Sequence, residues 1–189
     1  MLTAGNHKLS RHILNFSLPP GVTCRRHVLC AEACYAVACY SRYPNVRTRW
    51  DENLKLSRQE AFPETMIDEI VEKRGVVVRI HVGGDFYSER YVRKWRRIAG
   101  ALPSVQFYGY TKVWEFVQST SLNELENVNI INSVLPDGTV NFGPLDEMVA
   151  KSKEFVIPIC PYRRGHNDDK CGATCSLCLT EPRMLFVKH

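Results

Sequence analysis

The sequence predicts an α/β protein, built as a partial (β/α) barrel of about five to seven mainly parallel strands. A cysteine-rich loop near the N-terminus and a cysteine-rich segment near the C-terminus accompany it. Three observations carry this expectation. Short β-branched or aromatic runs alternate with segments of helical periodicity over short connections, the pattern of a parallel sheet. The 189 residues fall short of the roughly 250 that a complete eight-stranded barrel needs. Eight cysteines fall into two groups of four, each placed after an expected strand. An open doubly wound sheet is the alternative.

The elements follow in order. HILNFSL (12–18) reads as a first strand. NVRTRWDENLKLSRQEAF and PETMIDEIVEKRG then read as two helices, the second opened by Pro63 and closed by Gly75. GVVVRIHV (75–82) is a β-branched run of buried-strand type, broken by GGDFYS. SERYVRKWRRIAGAL (88–102) places Tyr91, Trp95, Ile98 and Leu102 at helical spacing, with Ser88 as N-cap. VQFYGYT (105–111) is a strand, a helix starts near Val113, and NVNIINSV (127–134) is another strand. PLDEMVAKS (144–152) predicts a short helix, EFVIPIC (154–160) a strand, and MLFVKH (184–189) a last strand. The whole chain, 1–189, reads as a single cluster-binding domain, with segment 160–178 packed on the same face as the first cysteine group.

Composition narrows the class. Hydrophobic residues make up 44% and charged residues 24% of the chain, ordinary for a water-soluble globular protein. No apolar run reaches membrane-spanning length, and MLTAGNHKLSRHILNF lacks the features of a secretory signal. A cytoplasmic protein with no membrane partner is expected. The net charge of +5 is mild. RYVRKWRR is compatible with nucleic acid, but such charges more often form a solvated helix face.

A reducing cytoplasm keeps thiols unpaired, so clustered cysteines point to metal rather than disulfides. Cys160 stands upstream of Cys171, Cys175 and Cys178, which run as C-x3-C-x2-C. Three close cysteines with one distant partner suit a 4Fe–4S cluster, and zinc with four thiolates is the alternative. In the first group Cys24, Cys30 and Cys34 are followed by Cys39. With Cys39 as a ligand the site is closed. Without it, three thiolates leave one iron open to a substrate or cofactor, as catalytic metal sites require, and this is the reading favoured by the CYA context.

Ligands of parallel α/β sheets collect at the carboxyl ends of the strands. Cys24, the Gly83-Gly84-Asp85 turn, Lys112, Ser133 and Cys160 all follow expected strands. Gly83 and Gly84 would let a backbone approach a cofactor, and Asp85 would pair with an ammonium or a ribose hydroxyl. A tight turn with Asp85 in a capping bond is the structural counterpart. Lys112 would hold a carboxylate or phosphate, so Asp85 and Lys112 are the candidate catalytic residues. Ser133 joins Gly83, Gly84 and Asp85 as cofactor-binding candidates. His81, within its strand, reads as a satisfied inner residue. His166, Asp168 and Asp169 read as solvated.

On FSLPPGVTC, CAEACYA, NVRTRWDENL, VRIHVGGDFYSERYVRKW, FYGYTK and the C-terminal cysteines, the chain resembles a phage and prophage family called gene product eighty-eight. That family is similar in pattern to radical S-adenosylmethionine enzymes. In those enzymes a C-x3-C-x2-C loop after the first strand holds a cluster whose open iron binds S-adenosylmethionine, and a Gly-Gly-acidic turn holds its amino group. Gly83, Gly84 and Asp85 match that turn, whereas Cys30-x3-Cys34 is followed at residue 37 by valine. The matching spacing occurs instead at Cys171, Cys175 and Cys178, with eleven residues after it, which implies an auxiliary cluster. The resemblance thus implies a phage enzyme with one or two 4Fe–4S clusters and S-adenosylmethionine as candidate cofactor. Its substrate would be a small molecule or nucleotide, with nucleic acid as the further candidate. A metal-stapled nucleic-acid-binding or redox-sensing protein is the non-catalytic alternative. No oligomeric state follows from the sequence.

Overall fold

Four of the β-branched and aromatic runs form strands that lie side by side in chain order. In the computed structural model, which describes residues 1–6, 9–25, 30, 34–161 and 175–187, strands β2 (Ile13–Phe16), β3 (Val77–Ile80), β4 (Gln106–Thr111) and β5 (Val128–Asn132) are parallel neighbours. A short strand, β1 (Thr3–Ala4), adds an antiparallel edge beside β2. The sheet is open, with order β1-β2-β3-β4-β5. That order runs without the reversal that defines a doubly wound sheet.

Helices cover one face. Helix α1 (Tyr35–Arg42) leads into α2 (Pro44–Arg58), and α3 (Phe62–Glu72) precedes β3. Helix α4 (Glu89–Ala101) joins β3 to β4, and α5 (Trp114–Ser119) with a 3-10 turn at Leu122–Glu124 joins β4 to β5. Ser88 caps α4, its Oγ accepting from the Tyr91 amide at 3.3 Å. Asn127 closes the other end of α4, its amide donating to the carbonyls of Ala99, Leu102 and Val105 at 2.9–3.0 Å.

The core lies between these helices and the alternate strand positions Leu14, Phe16, Val78, Ile80, Phe107, Val128 and Ile130. Phe16, Phe62 and Trp95 interlock there edge to face, at centroid separations of 5.4–5.8 Å. Each is 0–2% exposed, and burying a side chain of this size contributes roughly 2–3 kcal/mol.

The expected long helix ends at Arg58, short of Phe62, which opens α3 with Pro63 in its first turn. Lys94 of α4 fills the break, donating to the carbonyls of Ser57 and Gln59 at 3.0 and 2.6 Å. At the end of α3 the left-handed residue is Arg74 (φ 51°), not Gly75. Gly75 is required for space instead, because a Cβ there would stand 2.5 Å from Leu14 Cδ1.

Beyond β5 the chain makes a second, smaller sheet. Strand β6 (Phe142–Gly143) pairs in parallel with β7 (Phe186–Val187), and Ile159 bridges Leu185. The strand expected over 154–160 is only this bridge, because α6 (Leu145–Phe155) runs into its first residues and ends with Val156 left-handed at φ 54°. A last short helix, α7 (Leu177–Thr180), packs across β4 and β5 on the face opposite the main helix layer. Among the described residues no helix is long and apolar enough to cross a membrane.

Candidate functional site

Because β2 to β5 are parallel, the segments that follow them meet along one edge. Residues 17–24 leave β2, Gly83-Gly84-Asp85 leaves β3, Lys112 leaves β4 and Ser133 leaves β5. Hydrogen bonds knit the four exits together. The Leu18 amide donates to the Gly83 carbonyl at 2.9 Å, and Gly83 donates to Ser17 Oγ at 3.3 Å. Ser133 donates to the Thr111 carbonyl at 2.7 Å.

Asp85 is the knot of this edge. It is 5% exposed, and its carboxylate accepts from the Phe86 amide, the Thr111 hydroxyl and the Lys112 amide at 2.7, 2.6 and 3.0 Å. Burial pushes its pKa above the ordinary carboxylate value, with those three bonds opposing. Its backbone amide donates to Thr23 Oγ1. The capping role thus accounts for both carboxylate oxygens, with two bonds on Oδ1 and one on Oδ2, which alone has acceptor capacity left.

The two glycines are demanded by packing. A Cβ on Gly83 would fall 2.6 Å from the Trp50 ring. Gly84 has φ 82°, and a Cβ there would fall 2.7 Å from Leu18 Cβ and Thr23 Oγ1. The turn's amides at Gly83 and Asp85 are therefore engaged with Ser17 and Thr23 of the segment leading to Cys24. The turn thereby sets the starting point of the cysteine loop.

Three thiols of that loop stand together. Cys30 hydrogen-bonds with Cys34, which with burial raises its pKa, while Lys112 opposes the rise and Cys34 and Cys24 add to it. Cys24 is likewise raised, first by burial, with Asp85 and Cys34 adding. Cys34 is the residue before α1, and Cys39 lies within that helix. Cys39 bears on Tyr35, whereas the groups that act most strongly on Cys30 are Cys34, Lys112 and Cys24. The described cysteines are thiols, not disulfides. Among the described residues no group of three or more His, Cys, Asp or Glu is gathered closely enough to grip a single metal ion. As a donor set the three thiols are of the soft type that zinc and iron–sulfur clusters take.

The second cysteine group approaches from the broad face of the sheet rather than from its carboxyl edge. Cys160 and Cys178 pack with Leu9, Ile13, Tyr108, Ile131 and Met184. The Tyr110 hydroxyl donates to Cys178 Sγ at 2.7 Å, and Asn129 holds the Cys178 carbonyl at 2.9 Å. Cys175 precedes α7. Cys171, with His166, Asp168 and Asp169, lies outside the described residues.

Tyr35 and Arg79 escape a reading of the sequence, and His81 departs from the satisfied inner residue it reads as. Tyr35 is 55% exposed, yet its hydroxyl turns inward to donate to the Val82 carbonyl, where burial raises its pKa. Arg79 lies on the face opposite the main helix layer, its guanidinium 6.0 and 5.3 Å from the Tyr108 and Tyr110 ring centres. An arginine inside a β-branched run was the available signal. His81 takes a left-handed conformation at φ 62°, which turns its ring toward α4, where it hydrogen-bonds Tyr91 Oη at 2.9 Å. Its Nδ1 is buried without a partner, so the ring is only half satisfied.

Comparison with known proteins gives the chain a family. No solved structure matches the chain. The gene 88 protein of Mycobacterium phage L5 is 30% identical over 175 residues, covering 79% of this chain and 73% of that protein. Its counterpart in Mycobacterium phage D29 is 26% identical over 172 residues, covering 79% and 72%. A family profile described as "Gene product 88" matches residues 1–138, a span that takes in the first cysteine group, the Gly-Gly-Asp turn, Lys112 and Ser133. The chain belongs to the gene product 88 family.

Proposed function

We propose that this chain is an iron–sulfur enzyme whose reaction centre lies at the carboxyl edge of the parallel sheet. In this reading Cys24, Cys30 and Cys34 hold a 4Fe–4S cluster with one iron open. Cys160, Cys171, Cys175 and Cys178 hold a second cluster. The observation that carries it is the convergence of three thiols beside Asp85 and Lys112. When bound, the first cluster supplies an iron for coordination by S-adenosylmethionine or a substrate, and a route for one electron.

The chain's own residues fill defined roles. Lys112 offsets the negative charge that deprotonated thiols acquire on binding metal. Asp85 fixes the edge so that the cysteine loop and Lys112 keep one separation. Tyr35 roofs the cleft and limits water. The sheet, wound in chain order, is read as a segment of a (β/α) barrel, whose inner face receives a small-molecule or nucleotide substrate. A nucleic-acid-binding role for α4 is disfavoured, since Arg90, Arg93 and Arg97 pair with Glu60, Glu89 and Glu64.

The test is iron, zinc and acid-labile sulfide per chain after anaerobic purification. About eight irons and eight sulfides are expected for two clusters. About two zincs without sulfide would replace the proposal with two structural four-thiolate sites. Cys39→Ser should leave the iron content unchanged, and loss of about half the iron would make Cys39 a ligand and the first site closed.

A further inference from the structure

The face of the sheet opposite the main helix layer carries a polar row. Asn15, Arg79, Tyr108 and Asn129 are cross-strand neighbours in register on β2, β3, β4 and β5. Three members are polar or charged where a purely structural face would be apolar.

Arg79 is the anomaly in that row. Its Nε is buried and without a hydrogen-bond partner. Among the described residues no carboxylate pairs with its guanidinium, and its contacts are the rings of Tyr108 and Tyr110. Arginine stays charged in proteins, and a desolvated guanidinium without an acceptor is strongly unfavourable. Asn15, its neighbour on β2, is 4% exposed, and its Oδ1 also lacks a partner. Its amide nitrogen is committed to the carbonyls of Thr3, Gly5 and Ile13 at 3.2–3.3 Å.

The surroundings fix Arg79 between aromatic rings. The two tyrosine rings meet nearly at right angles, 6.3 Å apart, and Phe186 packs edge-on against Tyr110 at 5.2 Å. These rings restrict the guanidinium, and the Cys178 thiol, which accepts from Tyr110 at 2.7 Å, also acts on it. Arg79 keeps partial solvent exposure, so the site is reachable. It sits on the strand that leads through Val82 into the Gly83-Gly84-Asp85 turn, and the Tyr35 hydroxyl held at Val82 is among the groups that act on it.

We infer that Arg79 is an oxyanion-binding residue: the inner face of the sheet binds a small molecule through its carboxylate or phosphoryl group, with Arg79 as the cationic partner framed by Tyr108 and Tyr110. A planar guanidinium suits either group, since both offer two oxygens to its parallel N–H donors. The inference deepens the proposed reaction centre by naming the anionic class of its substrate, and it rests on that reading only for the word substrate. The binding itself needs no cluster.

The probe is inorganic phosphate or acetate, titrated into the full chain against sodium chloride at constant ionic strength. The readouts are the Arg79 Nε–H resonance in arginine-labelled protein and the thermal midpoint. A saturable resonance shift is expected with at least one anion, with a midpoint rise of about 3–6 °C at ten times the dissociation constant. Response to phosphate alone identifies a phosphoryl ligand, and response to acetate a carboxylate. Arg79→Met should abolish the response, keep the iron and sulfide content, and show an unchanged or higher midpoint without anion, because it removes a guanidinium whose Nε is buried without a partner. No saturable shift with either anion, or an equal midpoint rise in the variant, overturns the inference. So does a lower midpoint of the variant without anion, which would give Arg79 a partner within the fold. Iron lost from the variant would make Arg79 a support of the metal site instead. Low iron in the unsubstituted chain with an intact anion response would sink only the proposed cluster chemistry.

Discussion

The two faces of one sheet differ more than its strands do. On the face covered by the main helix layer, Leu14, Phe16, Val78, Ile80, Phe107, Val128 and Ile130 are all apolar and all within the core. On the other face the same strands mix Asn15, Arg79 and Asn129 with Ile13, Val77, Tyr108, Tyr110 and Ile131, which belong to a second, smaller apolar cluster. Successive side chains of a strand point to opposite faces, so the chain separates these tasks residue by residue. The apolar face supplies stability without specificity. The other face bears Arg79, whose Nε is buried without a partner between the Tyr108 and Tyr110 rings, an arrangement that makes sense where a ligand completes it.

The largest effect should follow from emptying the apolar face. Phe16 is fully buried between Phe62 and Trp95, and Phe16→Ala should cost about 3–5 kcal/mol in urea-induced unfolding. Arg79→Met, a residue of the next strand on the opposite face, should cost nothing. Equal costs for the two would erase the division between the faces.

That division was only partly legible in the sequence. β3 announced itself by Val76, Val77 and Val78, and α4 by Tyr91, Trp95 and Ile98 at helical spacing, because packing and local propensity agreed there. Helices α1 and α7 were hidden. Each is short, at 8 and 4 residues, and each carries a cysteine that drew the reading toward ligand geometry rather than toward helix. The convergence of Cys24, Asp85, Lys112 and Ser133 followed from strand direction alone, and the open sheet keeps it. Arg79 went unremarked because one charge in a β-branched run leaves the strand signal intact. The conformation of His81 was out of reach, since alternation along β3 would have set it beside Arg79. Only the left-handed backbone, rare for a residue other than glycine or asparagine, returns it to the helix-covered face.

His81 offers the next test, because it is a polar group moved onto the apolar side. Burial lowers its pKa to about 3, against about 6.5 in the unfolded chain. As pH falls the unfolded chain therefore takes up the proton first. The neutral ring's contribution is full above about pH 6.5 and is lost as pH falls toward 3. Between pH 6.5 and 5 that loss amounts to roughly 2 kcal/mol. His81→Asn, which tolerates the left-handed backbone, should flatten this part of the stability profile in chemical denaturation from pH 7 to 5. Parallel profiles for the two proteins would mean that His81 titrates alike in the folded and unfolded chain.

The smallest expected effect lies at Ser88, where the Gly-Gly-Asp edge passes into the apolar layer. Its hydroxyl accepts from the Tyr91 amide at 3.3 Å, and Tyr91 in turn meets His81 at 2.9 Å. Removing an N-cap acceptor costs about 1 kcal/mol, so Ser88→Ala should lower unfolding stability by that amount, well below the cost of Phe16→Ala. The helix would survive the loss, because Tyr91, Trp95 and Ile98 are each at most 1% exposed and packing dominates helix stability in a folded chain. A cost approaching that of Phe16→Ala would mean that the cap anchors more than one helical turn. The polar edge would then share in holding the core, and amide exchange at Gly84, Asp85 and Phe86 would accelerate together with that at Tyr91. Exchange that speeds up at Tyr91 and Val92 alone would confine the cap to its own helix and leave the edge held by Asp85.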